Sequence, residues 1–122
     1  MIFGIGADLV QISRMNKWAD NPALIERYFA VKEIDELKKR GAAIADSLAA
    51  HFAAKEAFGK ALGGFAGIAL RDIMVLKNAE GKPFLHLEGS ALEAMKTAGV
   101  SKAFISLTHE GGMALAMVVL EN

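Results

Sequence analysis

"FAAKEAFGK", residues 52–60, decides the fold, because a Lys-Glu pair and a second Lys stand in a run otherwise made of Ala, Phe and Gly. The helical pattern around it extends from about Ala42 to Leu62 and ends at Gly63-Gly64, the residue type that terminates helices. At roughly 100° per residue the helix separates into three faces. Ala50, Ala54, Ala57 and Ala61 form one, a stripe small enough for another backbone to approach closely, so this side is expected to be buried. Phe52, Glu56 and Lys60 share a second face, and His51, Lys55 and Phe58 a third. Spacing alone leaves two readings of Glu56 and Lys60: an ordinary i, i+4 pair on a solvated face, worth a few tenths of a kcal/mol, or two members of a site.

Working outward, "IFGIGADLVQI" (residues 2–12) alternates as a strand, with Phe3, Ile5, Ala7 and Leu9 on one side and Gly4, Gly6 and Asp8 on the other. Ser13 is expected to cap a helix running to about Ala19, and Pro22 to interrupt it or start another. "VKEIDELKKR" (31–40) reads as a short amphipathic helix closed by Gly41. "DIMVLK" and "PFLHL" flank "NAEGK", a hairpin signal, and "SALE" at Ser90–Glu93 is a capping box opening a helix closed by Gly99. "AFISLT" and "MALAMVVL" frame "HEGG", a second hairpin. Strands at both ends with helices mostly between them predict an α+β fold, an antiparallel sheet packed on one long central helix, in a single domain spanning 1–122.

Composition narrows the function. The 122 residues are 53% hydrophobic and 23% charged with zero formal net charge, so neither a nucleic-acid stripe nor an acidic tail is expected. The absence of cysteine removes thiol nucleophiles, disulfides and Cys-based zinc sites. The start "MIFGIG" shows no targeting signal, and "MALAMVVL" is too short to span a bilayer, so a soluble cytoplasmic protein is expected, without membrane association. The high apolar fraction suggests surface covered by a partner or another copy of the chain.

Asp8 is a poor strand former whose charge is costly to bury unless paired. A salt bridge to Arg14 or a backbone cap would explain it, and so would a cation. Two carboxylates, Asp8 and Glu56, on the two longest elements suit Mg²⁺, which takes one or two protein carboxylates and completes its shell with water and phosphate oxygens. "GGFAG" (63–67) offers backbone N–H groups without side-chain obstruction. It is also an ordinary glycine helix terminus, and it lies where the helix dipole disfavours anions, so Lys60 and a metal would have to supply the positive charge. "GIGADL" lacks the third glycine of a dinucleotide fingerprint, and Ser106 with His109 has no G-x-S-x-G elbow. His109 ends an apolar strand, the place of many surface histidines, and His86 has no companion motif.

Taken together, "GIGADLVQISRM", "FAAKEAFGKALG" and "SLTHEGGMALAMVV", with "GKPFL" at Gly81–Leu85, resemble the holo-[acyl-carrier-protein] synthases, small bacterial 4'-phosphopantetheinyl transferases, in order and spacing over nearly the whole chain. "AAKEAFGKALG" is the most specific of these segments. The resemblance implies that coenzyme A donates its 4'-phosphopantetheine arm to a serine of apo acyl carrier protein, releasing adenosine 3',5'-bisphosphate. It implies Asp8 and Glu56 as Mg²⁺ ligands and as catalytic residues together with Lys60, which would lie near the pyrophosphate. Gly63 and Gly64 would run along that pyrophosphate, and Pro83, Ser106, Thr108 and His109 would meet the nucleotide. Arg14, helped by Lys17 and Arg27, would meet the carrier protein. It further implies a homotrimer with sites between subunits.

Phosphoryl-type displacement is mainly positioning and neutralisation of charge, which these residue types supply. The serine proton could go to Glu56 directly or to a water on the metal; because a carboxylate that ligates a metal is a weak base, the water with Glu56 assisting is the expected acceptor. One departure from the family stands out: the position before Phe52 is commonly arginine there and is His51 here, which predicts a weaker or pH-sensitive grip on a nucleotide phosphate. Two other functions use the same residues: a non-catalytic oligomeric module that binds a phosphorylated ligand, and a magnesium-dependent nucleotide pyrophosphatase.

Overall fold

The computed structural model describes residues 1–122. It runs β1 (Ile2–Gln11), a 3₁₀ turn (Ile12–Met15), α1 (Asn16–Ala19), α2 (Pro22–Tyr28), α3 (Val31–Lys38), a 3₁₀ turn (Gly41–Ala43), α4 (Ile44–Leu62), a 3₁₀ turn (Leu70–Asp72), β2 (Ile73–Lys77), β3 (Pro83–Leu87), α5 (Gly89–Ala98), β4 (Lys102–Glu110) and β5 (Met113–Glu121). The fold is α+β as expected, but the strands divide between two antiparallel sheets instead of one. β1-β5-β4 form the first, with β5 central, and β2-β3 a separate ribbon. Asn78 closes that ribbon, its Oδ1 accepting from Glu80 N and Lys82 N at 2.9 Å each.

Glycine decides how the large sheet meets α4. A Cβ on Gly6 would stand 1.9 Å from the Ala57 carbonyl oxygen, and one on Gly4 would stand 2.0 Å from that of Ala61. The strand backbone therefore rests directly on the alanine stripe, in which Ala54, Ala57 and Ala61 are buried. Any side chain at either glycine would push β1 off the helix, a kind of overpacking that costs about 1–3 kcal/mol. Val10, Ala114, Ala116, Val118 and Leu120 fill the rest of this interface, while Phe29, Leu37, Leu48, Phe58 and Ile73 continue the core beneath α3 and β2.

Several local expectations are corrected. Ser13 caps nothing, lying inside the 3₁₀ turn. Pro22 starts α2, and Asn21 caps it by accepting from Leu24 N at 3.2 Å. α3 stops at Lys38, short of Gly41, and α4 begins at Ile44. The "SALE" box does not form: α5 starts at Gly89, and Ser90 donates through both N (2.9 Å) and Oγ (2.6 Å) to Asp72 Oδ2. A full negative charge brought from the turn before β2 thus takes the capping role at a helix N-terminus. No helix is long and apolar enough to cross a membrane.

Candidate active site

β1 and α4, locked at Gly4 and Gly6, bring Asp8 beside the flank of α4 that carries Glu56 and Lys60. Lys60 Nζ donates to Asp8 Oδ1 at 2.9 Å and to the Ala7 carbonyl at 3.1 Å. Neither ordinary pairing considered above, Glu56 with Lys60 or Asp8 with Arg14, is the one that forms. The Asp8 side chain is only 17% exposed. Burial and the neighbouring Asp8 charge hold the Glu56 carboxyl above the ordinary glutamate value, with Lys60 and Arg14 opposing. Arg14, on the 3₁₀ turn after β1, is thereby close enough to act on the same group. Two carboxylates and a carbonyl already drawn to an ammonium form an all-oxygen donor set, which fits a hard divalent cation. Lys17 and Arg27 are exposed on α1 and α2, Arg27 lying 5.6 Å over the Tyr28 ring.

The third face of α4 carries a feature that the sequence reading missed. Lys55 is fully buried. Its Nζ donates to Glu33 Oε1 at 2.7 Å, to the Leu70 carbonyl at 3.0 Å and to the Ile73 carbonyl, and it lies 4.9 Å from the Phe29 ring centroid. Glu33, equally buried, also accepts from Ala30 N, Val75 N and His51 Nδ1, each at 3.1 Å. Burial opposes the charge on Glu33, but the His51 hydrogen bond and the Lys55 ammonium prevail and hold its carboxyl below the ordinary glutamate value. Burial in turn draws Lys55 below the ordinary lysine value, against the pull of Glu33. We take the pair as charged, because every ammonium proton and all four carboxylate lone pairs have partners. One signal was legible in advance: Glu33 lies four residues before buried Leu37, on the apolar side of α3.

Of the remaining candidates, His109 lies beside His51 on another flank of α4, whereas Gly63 and Gly64 end that helix. Along β4 the alternation separates the strand's candidates: Ser106 and Thr108 pair with Met117 and Leu115 on the outer face of the sheet, whereas His109 pairs with Ala114 on the face toward α4. His109 lines a cleft with Arg40, Ser47, His51 and Lys77, and Thr108 reaches its edge. Pro83 opens β3 opposite Lys77. The glycine loop differs from expectation in its donors: the N–H groups of Gly63 and Gly64 are both taken by the Gly59 carbonyl, at 3.0 and 2.8 Å. Phe65 folds back over Gly59, where a Cβ would meet its ring at 2.0 Å. An anion at this loop would meet the N–H groups of residues 65–67 instead.

A family model described as the 4'-phosphopantetheinyl transferase superfamily matches residues 4–118. Over 123 residues the chain is 48% identical to the holo-[acyl-carrier-protein] synthase of Treponema denticola, all of both chains being covered. Its fold is similar to the crystal structure of the holo-[acyl-carrier-protein] synthase from Neisseria meningitidis, with a TM-score of 0.90 and 32% identity over 100% of both chains. The Helicobacter pylori holo-[acyl-carrier-protein] synthase, solved in complex with coenzyme A, superposes with a TM-score of 0.82 at 30% identity, over 96% of this chain and 99% of that one. With the Asp8, Glu56 and Lys60 cluster on the glycine-locked helix, these likenesses are decisive: the chain belongs to the 4'-phosphopantetheinyl transferase superfamily, among its holo-[acyl-carrier-protein] synthases.

Proposed function

We propose that this protein transfers the 4'-phosphopantetheine group of coenzyme A to a serine hydroxyl of apo acyl carrier protein in the cytoplasm, releasing adenosine 3',5'-bisphosphate. The observation that carries the reading is the convergence of Asp8, Glu56, Lys60 and Arg14 on one flank of α4 in a member of this family. Asp8 and Glu56 would hold Mg²⁺, which when bound supplies charge neutralisation at the pyrophosphate. Lys60 offsets negative charge that develops on the leaving side, and a rigid backbone contact at Ala7 fixes its position. Glu56, engaged with the cation, would be a weak base, so it would assist a neighbouring water in taking the serine proton instead of taking it directly. Arg14, at the edge of the cluster, gives an acidic carrier protein its first charge contact, with Lys17 and Arg27 beyond it.

A homotrimer with sites between subunits completes the reading, and two observations support it. The outer face of the β1-β5-β4 sheet is a continuous apolar surface: Ile5, Leu9, Phe104 and Met117 are 46–58% exposed there, with Phe3 and Leu115 beside them. So large a patch calls for a cover. In addition, the Asp8 group and the His109 cleft lie on different flanks of α4, an arrangement that three-fold packing could exploit. Closed three-fold packing would let one subunit's Asp8 group face another's cleft.

Mass spectrometry of apo acyl carrier protein incubated with coenzyme A, Mg²⁺ and this protein tests the proposal, with a gain of the phosphopantetheine mass as the expected result. Binding of coenzyme A without that gain would leave a ligand-binding module. Cleavage of coenzyme A with no carrier protein present would make it a pyrophosphatase.

A further inference from the structure

The contact between Lys60 and Asp8 puts an ammonium where the two carboxylates would receive a cation. Lys60 Nζ stands 2.9 Å from Asp8 Oδ1 and 3.1 Å from the Ala7 carbonyl oxygen, against an Asp8 side chain that is only 17% exposed. Asp8 Oδ2 and both Glu56 oxygens accept nothing from the rest of the chain, yet no buried side-chain oxygen lacks a partner, so all of these open to solvent. The oxygens that suit a cation are thus split between those that Lys60 takes and those left free.

Charge explains why the arrangement holds by itself. Glu56 senses Asp8 on one side and Lys60 and Arg14 on the other, two carboxylates against two cations, so the group is close to neutral. Neither Glu56 nor Arg14 enters a salt bridge. A divalent ion added to this balanced group leaves an excess of positive charge, and on Asp8 it would face the Lys60 ammonium across the width of one carboxylate, where like charges repel. Lysine is built to give way, because its ammonium rides on a flexible four-carbon stem and the Lys60 side chain is 53% exposed. The Ala7 carbonyl carries no net charge, so that hydrogen bond can persist while Nζ turns away from Asp8.

Resting on the metal assignment in the transferase reading, we propose that Lys60 is an internal stand-in for the divalent cation. Its ammonium occupies the Asp8 carboxylate until a cation takes that oxygen. Nζ then gives up Asp8 Oδ1, pivots on the Ala7 carbonyl and turns to the diphosphate of coenzyme A, with no proton transferred. One ammonium thereby serves first as counter-ion to Asp8 and then as a contact for the substrate. The exchange also makes the cation bind weakly until a diphosphate draws Lys60 away. Apparent affinity falls in proportion to the time a site is free, so a contact present about nine-tenths of the time weakens cation binding about tenfold.

Mn²⁺ alone, followed by the paramagnetic resonance signal of the free ion, measures cation affinity without coenzyme A or turnover. Lys60→Met should bind Mn²⁺ about tenfold more tightly than the wild type. Arg14→Met removes a charge that acts on the same Glu56 but forms no ion pair, so its gain should be markedly smaller. Equal gains in the two variants, or none in Lys60→Met, would overturn the inference. Lys60 itself supplies the second readout: the nitrogen magnetic resonance signal of its ammonium, assigned by its loss in Lys60→Met, should be visible in EDTA and shift on saturation with Mg²⁺. A signal that Mg²⁺ leaves unchanged would show lysine and cation sharing Asp8, and would overturn the inference while the transferase reading stands. Failure of Mn²⁺ to bind any of these proteins, with coenzyme A present or absent, would instead remove the metal assignment and the inference with it.

Discussion

Glu56 carries a charge that its surroundings resist. Burial and Asp8 raise its proton affinity, so its ionisation costs folding free energy: stability is full below the ordinary glutamate value and declines as pH rises through the raised one. At neutral pH without divalent metal, Glu56→Gln should therefore melt at a higher temperature than wild type, and added Mg²⁺ should raise the wild-type Tm but not that of the variant. Melting curves in EDTA and in Mg²⁺ check both, and an unchanged ordering would count against a shared cation. Lys60, pinned to Asp8 and the Ala7 carbonyl, is expected to act on the transition state. Lys60→Ala should lower kcat by a factor of about 10², whereas a rise confined to KM would reduce it to a binding residue.

At the scale of elements, the Glu33 and Lys55 pair ties α3, α4 and β2 together, since its partners include Val75 N and the carbonyls of Leu70 and Ile73. Removing one member strands a buried charge, which costs about 3–5 kcal/mol. Lys55→Met should therefore destabilise the fold by roughly that amount in urea titration. Adding Glu33→Leu should recover only part of the loss, because the N–H groups of Ala30 and Val75 and the Ile73 carbonyl would still lose their partners. Full recovery would show that the backbone groups find other partners. Acid should weaken the same junction: with its pKa lowered, Glu33 contributes stability above the ordinary glutamate value, and this is lost as pH falls through the depressed one.

For the whole molecule, the apolar outer sheet face predicts assembly. Met117→Lys, at an exposed site on that face, should yield a smaller species by analytical ultracentrifugation and lose activity while keeping its helical circular dichroism. The division of site residues between the two flanks of α4 allows a sharper test. Asp8→Ala and His109→Ala proteins, each nearly inactive alone, should regain activity when dissociated together and reassembled, because some interfaces then pair an intact Asp8 group with an intact His109. Mixed assemblies confirmed by mass analysis but still inactive would place both groups within one subunit's site.

The α+β class, the alanine stripe, the glycine face of β1 and the apolar face of Phe3, Ile5 and Leu9 were determined by the sequence alone, because each is set by the period of a single element. Asp8, Glu56 and Lys60 were legible for the same reason, as odd charges on otherwise apolar faces. Alternation along β4 could also have parted His109 from Ser106 and Thr108. What tertiary structure decided was which charges meet. Lys60 chose Asp8, 52 residues away, over Glu56 on its own helix face. Lys55 found Glu33 and the β2 backbone, and Asp72 displaced the local box at Ser90. A charge adopts whichever partner repays its desolvation best, and that partner is set by how the elements pack, which local periodicity does not encode.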